Sequence, residues 1–283
     1  MKREQQLERR LHTLHTLGEA VSAMRSLAAH HFRLSRQTLP AAREYRQQIE
    51  WALSEIDVHQ QLNLSAPPGV LLVASDLGLC GDYNLKLAQT ARDELEQLKM
   101  AGELRTPPLY CVGRRSQSML SRMGLTATRL YSAAASVDGL PGLLLQLAEE
   151  LLDEFLNGRF GSLHVISARF EGAGRFVPTT TQVLPVRANG EVARLRPTSY
   201  QSRRRIVGVA VREYLYTTLY ELLLDSLASE HGMRLLAAES ARQWLEETAE
   251  TVRRQLSATR RESTTQEVLD IVAGRRTMRG GPA

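Results

Sequence analysis

The prolines decide most of what this chain can fold into. Apart from Pro282 in the tail, all of them lie between Pro40 and Pro197. A proline inside a helix removes a backbone donor, clashes with the preceding turn and costs about 3 kcal/mol. The two proline-free ends are therefore where long helices can form. Between them run short apolar stretches cut by Pro and Gly, the pattern of a compact strand-and-helix domain.

In the first end segment Leu7, Leu11 and Leu14 fall at spacings of four and three, and Leu17, Val21, Met24 and Ala28 resume the rhythm after a three-residue step. This predicts a coiled-coil seam with one stammer; an amphipathic helix lying on a globular core is the plainer alternative. The second end segment, from Val207 to about Ala273, holds only Gly208 and Gly232 as helix weakeners. Sixty helical residues span about 90 Å, longer than any ordinary domain. Its stripe, Met233, Ala237, Ala241, Trp244, Thr248, Val252, Leu256 and Thr259, places Ala and Thr where a stable coiled coil has Leu. So thin a seam needs further partners around it.

The middle alternates strands and helices. Strands are expected at 70–74, 109–112, 126–131, 163–170 and 176–186, and helices at 85–100, just after Arg114 and at 140–156. Pro178 and Pro185 put the last strand at an edge. The alternation argues for a parallel-rich sheet covered by helices, inserted between two helices that pair with each other. The expected division is 1–60 as the N-terminal coiled-coil helix, 68–190 as the α/β domain, 205–274 as the C-terminal coiled-coil helix and 275–283 as a basic tail.

Composition excludes more than it assigns. With 36 Lys plus Arg against 31 Asp plus Glu, the formal charge of +5 is too small to argue for a polyanion partner. Lys2, Lys86 and Lys99 are the only lysines, so arginine carries nearly all positive charge and favours bidentate pairing with carboxylates. Cys80 and Cys111 are too few for a disulfide framework and fit a reducing compartment. No stretch approaches 18 apolar residues and no signal-peptide pattern opens the chain, so export and membrane spanning are not expected.

Chemistry-bearing candidates are weak. His12 and His15 sit three apart on a helix but lack further ligands, and His30-His31 reads as a solvated face. Cys80 has no nearby base. The loop from Ser75 to Asn84 follows a strand and precedes a helix, yet has no phosphate-binding glycine pattern, and its Asp76 and Asp82 would repel a phosphate. As an acid/base pair those two carboxylates lack a substrate pocket in the sequence. No catalytic residue, cofactor or metal is expected.

The same loop carries a family resemblance. Ser75, Asp76, Gly78, Leu79, Cys80, Gly81 and Asn84 match the Ser-Asp-Arg-Gly-Leu-Cys-Gly stretch, with its following Asn, of the gamma subunits of F-type ATP synthases. Leu77 stands where that family has Arg. Ala23 and Met24 are similar to the end of its Ile-Thr-Lys-Ala-Met element. Near the C-terminus Ser229-Glu230, Arg234, Arg260-Arg261, Thr264-Thr265-Gln266-Glu267 and Asp270-Ile271-Val272-Ala273-Gly274 resemble its closing patterns, with Arg261 in place of Gln.

The resemblance implies an α/β fold in which a long antiparallel coiled coil of the N- and C-terminal helices carries an inserted Rossmann-like domain. It also implies a non-catalytic central-stalk rotor that couples ion translocation to ATP synthesis or hydrolysis by turning inside a ring of α and β subunits. The epsilon subunit and the c-ring would be further partners, at the cytoplasmic face of a bacterial inner membrane. Met24, Arg234, Arg260, Arg261, Thr265 and Glu267 are the implied ring contacts. The departures at Leu77 and Arg261, with the basic tail, indicate a divergent branch, for which a sodium-moving ATPase is one reading. Two other classes stay open. One is a cytosolic α/β enzyme with dimerising arms. The other is a coiled-coil scaffold or interaction protein with a Rossmann-like domain, or a nucleic-acid binder using Arg203-Arg204-Arg205.

Overall fold

The computed structural model describes residues 2–56, 66–100, 106–172, 174–186 and 202–279. It divides into two compact units, one of Leu27–Ala237 and one of Met1–Ser26 with Ala238–Ala283. Two helices belong to both, α1 (Lys2–Ile56) and α5 (Arg203–Arg279). At 77 residues, α5 is about 115 Å long. This division differs from the expected one because the inner halves of both helices pack with the sheet. Leu39, Ala42 and Leu53 of α1 and Leu215, Leu219, Leu223 and Leu227 of α5 are part of its core. Residues 57–60 of the expected first helix, 187–190 of the expected middle domain and 280–283 of the tail lie outside the described residues.

The α/β unit contains β1 (Pro68–Val73), α2 (Tyr83–Met100), β2 (Leu109–Val112), α3 (Arg114–Arg122), β3 (Arg129–Tyr131), α4 (Leu140–Leu156), β4 (Ser162–Gly172) and β5 (Arg175–Leu184). Every expected strand and helix is present within a few residues. The sheet order is β3-β2-β1-β4-β5, with the first four strands parallel and β5 antiparallel at the edge. All six residues of β1 are buried, as a strand covered on both faces requires. Alternation sends Leu71 and Val73 to the layer of α4 and α5, and Val70 and Leu72 to that of α2 and α3. Each such leucine contributes about 2 kcal/mol of apolar burial.

Helix α1 runs through Pro40 despite the cost of an interior proline. Pro40 is exposed while Leu39 is buried beside it. The carbonyl that loses its partner, that of exposed Arg36, therefore lies on the water side.

In the other unit the helices pair through Leu7, Leu11, Leu14 and Val21 of α1 and Leu245, Ala249 and Val252 of α5. Arg260 reaches Glu4 and Glu8, Arg253 reaches His15 and Arg25 reaches Glu239, so rising numbers on one helix meet falling numbers on the other: the pair is antiparallel. The expected three-residue step from Leu14 to Leu17 is not taken. Half-buried Gly18 takes the seam position after Leu14, and Leu17 is 49% exposed, so spacings of four and three run from Leu7 to Val21. On α5 the expected stripe holds at Val252 and Leu256, 2% and 7% exposed, but is shifted by one residue upstream of them, where Trp244 is 60% exposed and Leu245 is 6% exposed.

Candidate functional site

In doubly wound sheets the ligand crevice opens at the carboxyl ends of the strands, where the strand order reverses. Here that point lies between β1 and β4, and helix α5 fills it. The Ser226 hydroxyl accepts the Ala168 N–H at 3.1 Å, and an Asp225 carboxylate oxygen accepts the Phe170 N–H at 2.7 Å. The Tyr83 hydroxyl, fully buried, donates to the Ser226 carbonyl at 3.1 Å. The crevice in which a relative of this fold would hold a nucleotide is occupied by the chain's own helix.

The loop Ser75–Asn84 is built to meet that helix. The Asn84 side chain accepts the Ser75 N–H at 3.1 Å and donates to the Ser75 hydroxyl at 2.9 Å and to the Cys80 sulfur at 3.2 Å. The Ser75 hydroxyl in turn donates to the Leu77 carbonyl at 2.7 Å. Leu79 at φ 56° and Gly81 at φ 60° turn the chain so that Cys80 is buried and Leu77 and Leu79 face outward, 63% and 51% exposed. A left-handed leucine costs about 1–2 kcal/mol, so this turn is imposed by its surroundings. Burial pushes the Cys80 thiol up, which leaves it protonated and inert. Asp76 accepts the first N–H of α3, from Arg114, at 2.8 Å and so acts as a cap supplied from another segment. Asp82 pairs with Lys86 at 2.7 Å. Each carboxylate thus has a structural partner in place of a shared substrate.

Arg234 joins the loop to α5. Its guanidinium donates to the Gly78 carbonyl at 3.4 Å, to the Leu77 carbonyl at 3.5 Å, to Glu230 and to Nδ1 of His231 at 3.2 Å. Nε2 of His231 donates to the Ala135 carbonyl at 3.2 Å, and its ring stacks on that of His31 at 5.0 Å. Burial raises the Glu230 carboxyl, partly offset by Arg234; burial and the Arg234 charge lower His231 to about 3. His31 is thus half-buried against His231 and does not belong to a solvated face, while its neighbour His30 is exposed. Arg234 is 4% exposed, and the groups it reaches lie on α5 and on the loop after β1.

The remaining candidates lie in the coiled-coil unit. Met24 is half-buried. Arg260 bridges to Glu4 at 2.7 Å and to Glu8. The Thr265 hydroxyl donates to the Arg261 carbonyl at 2.8 Å, one turn back on the same helix. Arg261 and Glu267 are exposed and have no side-chain partner among the described residues.

The sequence reading missed Glu221 and Asp225. Both are buried: Arg43 reaches Asp225 at 2.9 Å and Glu221 at 3.7 Å, and Arg46 also pairs with Glu221. The available signal was two carboxylates in the leucine-rich stretch Leu215–Leu227, where a charge facing the core survives only if paired.

The chain is 25% identical over 276 residues to the ATP synthase gamma chain of Desulfitobacterium hafniense, covering 95% of this chain and 96% of the relative. It is 26% identical over 280 residues to that of Moorella thermoacetica, with the same coverage. Among solved structures, a chain of the Euglena gracilis mitochondrial ATP synthase OSCP/F1/c-ring assembly aligns with a TM-score of 0.69 at 14% identity, covering 100% of this chain and 97% of that one. A chain of the Tetrahymena thermophila mitochondrial ATP synthase central stalk/c-ring gives 0.54 at 21% identity, covering 78% and 99%. The family model described as ATP synthase matches residues 3–278, and the chain therefore belongs to the ATP synthase family.

Proposed function

We propose that this chain is the gamma-type central-stalk subunit of an F-type ATP synthase, a rotor that couples ion movement through a membrane sector to ATP synthesis or hydrolysis. The observation that carries this reading is the single helix α5. It seats at one end in the sheet's ligand crevice and continues into an antiparallel pair with α1 through a single seam of Leu7, Leu11, Leu14, Val21, Leu245, Ala249 and Val252. The pair leaves Leu17, Trp244, Val268, Leu269 and Ile271 exposed on its outer faces, which suits a shaft enclosed by other subunits that would cover them.

The partners are then a ring of α and β subunits around the coil, with the epsilon subunit and the c-ring at the α/β unit. Catalysis belongs to the β subunits and this chain has no catalytic residue. Arg261, Glu267, Thr265, Arg260 and Met24 are assigned to ring contacts, while Arg234 acts indirectly by holding loop 75–81 against α5. Met1–Ser26 with Ala238–Ala283 serves as the coil and Leu27–Ala237 as the foot. The site of action is the cytoplasmic face of a bacterial inner membrane, reached through the complex: no described helix is long and apolar enough to cross a membrane.

Tagged chain purified from its native host tests the reading. Stoichiometric α and β subunits with ATP hydrolysis in the recovered material support it. Recovery alone or with unrelated proteins overturns it and favours the scaffold.

A further inference from the structure

Strand β4 outruns its neighbour. Its pairing with β1 ends at Leu72↔Ile166, while its pairing with β5 continues to Gly172↔Arg175. Beyond Ile166 the amides facing away from β5 have no strand to bond, and a buried amide without an acceptor is costly. Helix α5 supplies the acceptors: Ser226 Oγ for Ala168 and Asp225 Oδ1 for Phe170. Further along the same helix His231 bonds the Ala135 carbonyl after β3, and Arg234 bonds the Leu77 and Gly78 carbonyls after β1. Four side chains of one helix thus grip three separate ends of the sheet.

The apolar part of this contact, Leu215, Leu219, Leu223 and Leu227, opposes separation of helix and sheet but is non-directional. Hydrogen bonds to fixed backbone groups are directional and lose their strength when bent. Ser and Asp reach their amides through one and two rotatable bonds, and Asp225 and Ser226 are 5% and 2% exposed, so little slack remains.

We propose that this grip is the joint through which torsion passes between the sheet and α5, with Asp225, Ser226 and Arg234 as positioning residues that prevent α5 from turning in its crevice. The proposal rests on the rotor reading. It predicts that loosening the joint uncouples ion movement from ATP turnover without dismantling the complex.

The test uses the whole complex in sealed vesicles, with the single variant Ser226→Ala and the double variant Asp225→Ala/Ser226→Ala. ATP hydrolysis is measured beside ion uptake, followed with pH- and sodium-sensitive dyes, and subunit stoichiometry is checked in each preparation. Hydrogen exchange at the Ala168 and Phe170 amides reports the joint itself. The expected result is exchange at least tenfold faster at those two amides and at least a threefold fall in ions moved per ATP. Asp225→Asn keeps a carbonyl oxygen for Phe170 and holds the ratio near that of the parent. If the double variant fails to assemble, Ser226→Ala carries the same expectation at the Ala168 amide. Faster exchange with an unchanged ratio of ions to ATP overturns the joint. A parent complex that hydrolyses ATP without moving ions overturns the rotor reading, and the joint with it.

Discussion

Arg234 donates a hydrogen bond to Nδ1 of His231 at 3.2 Å, which fixes that imidazole as a neutral acceptor beside a permanent positive charge. Protonating His231 would replace the bond with repulsion. Its neighbour His31 acts in the same direction: burial, His30 and Arg234 lower it, against a smaller opposing effect of Asp138. The His31 Nδ1 atom has no hydrogen-bond partner among the described residues.

The consequence is acid sensitivity with a defined sign. His231 falls from an ordinary 6.5 to about 3 on folding, so its stabilisation is complete above pH 6.5 and is lost as pH drops toward 3. Between pH 6.5 and pH 5 this group alone removes about 2 kcal/mol. Urea unfolding of the chain at several pH values checks this, with His231→Gln as the comparison. The variant should show a flatter dependence on pH across that window, and parallel curves would refute the assignment.

Gly113 marks the tightest backbone approach. It sits at φ 92°, and an added Cβ would lie 2.7 Å from the backbone of Ala74 and Ser75, at the start of the loop that meets α5. Backbone cannot move aside as a side-chain tip can, so Gly113→Ala should cost at least about 3 kcal/mol. Gly124, at φ 75° with nothing near its Cβ position, is the control, and its alanine variant should cost about 1 kcal/mol. Denaturant midpoints of the two variants separate crowding from conformational strain.

Much of this was legible in the sequence because the signals are local. Proline placement exposed both long helices, and short apolar runs such as Leu109–Val112 marked the strands. The match at Ser75, Asp76, Gly78, Cys80, Gly81 and Asn84 led to the family that the whole-chain comparison supports. What stayed hidden depends on tertiary context. A glycine has no apolar side chain to count, so the apolar pattern points to Leu17 where the structure uses Gly18. Trp244 outweighs Leu245 in hydrophobic size, yet the smaller residue faces the partner helix. Arg234 looked like an outward contact because nothing in a linear motif reveals the carbonyls of Leu77 and Gly78 more than 150 positions away.

The seam position after Leu14 can be tested directly. Leu14 is 8% exposed and Leu245 6%, so truncating either to alanine should cost about 2–3 kcal/mol. Leu17→Ala and Trp244→Ala, at positions 49% and 60% exposed, should stay within about 0.5 kcal/mol of the parent. Thermal unfolding of the four variants reads this out; a stammered seam would make Leu17 as costly as Leu14.

Arg260 and Arg261 are adjacent in sequence but differ in what they can do for a partner. Arg260 is engaged with Glu4 and Glu8 across the helix pair, whereas Arg261 and Glu267 point into solvent with no partner among the described residues. Exposed ion pairs are weak and screened by salt. Arg260→Ala should therefore lower the chain's melting temperature slightly at low ionic strength and not at high. Arg261→Ala and Glu267→Ala should leave the melting temperature of the isolated chain unchanged at any salt. In the assembled complex the order reverses: Arg261→Ala, and Glu267→Ala with it, should reduce ATP hydrolysis severalfold, because a guanidinium shielded within a ring of subunits forms stronger, directional bonds with carboxylates than one in water. Arg261→Lys separates charge from geometry, since an ammonium keeps the charge without the planar fork and should restore only part of the activity. Hydrolysis by complexes carrying each variant, set beside the melting curves of the free chains, decides the matter. Full activity in both Arg261→Ala and Glu267→Ala would remove these residues from the ring interface.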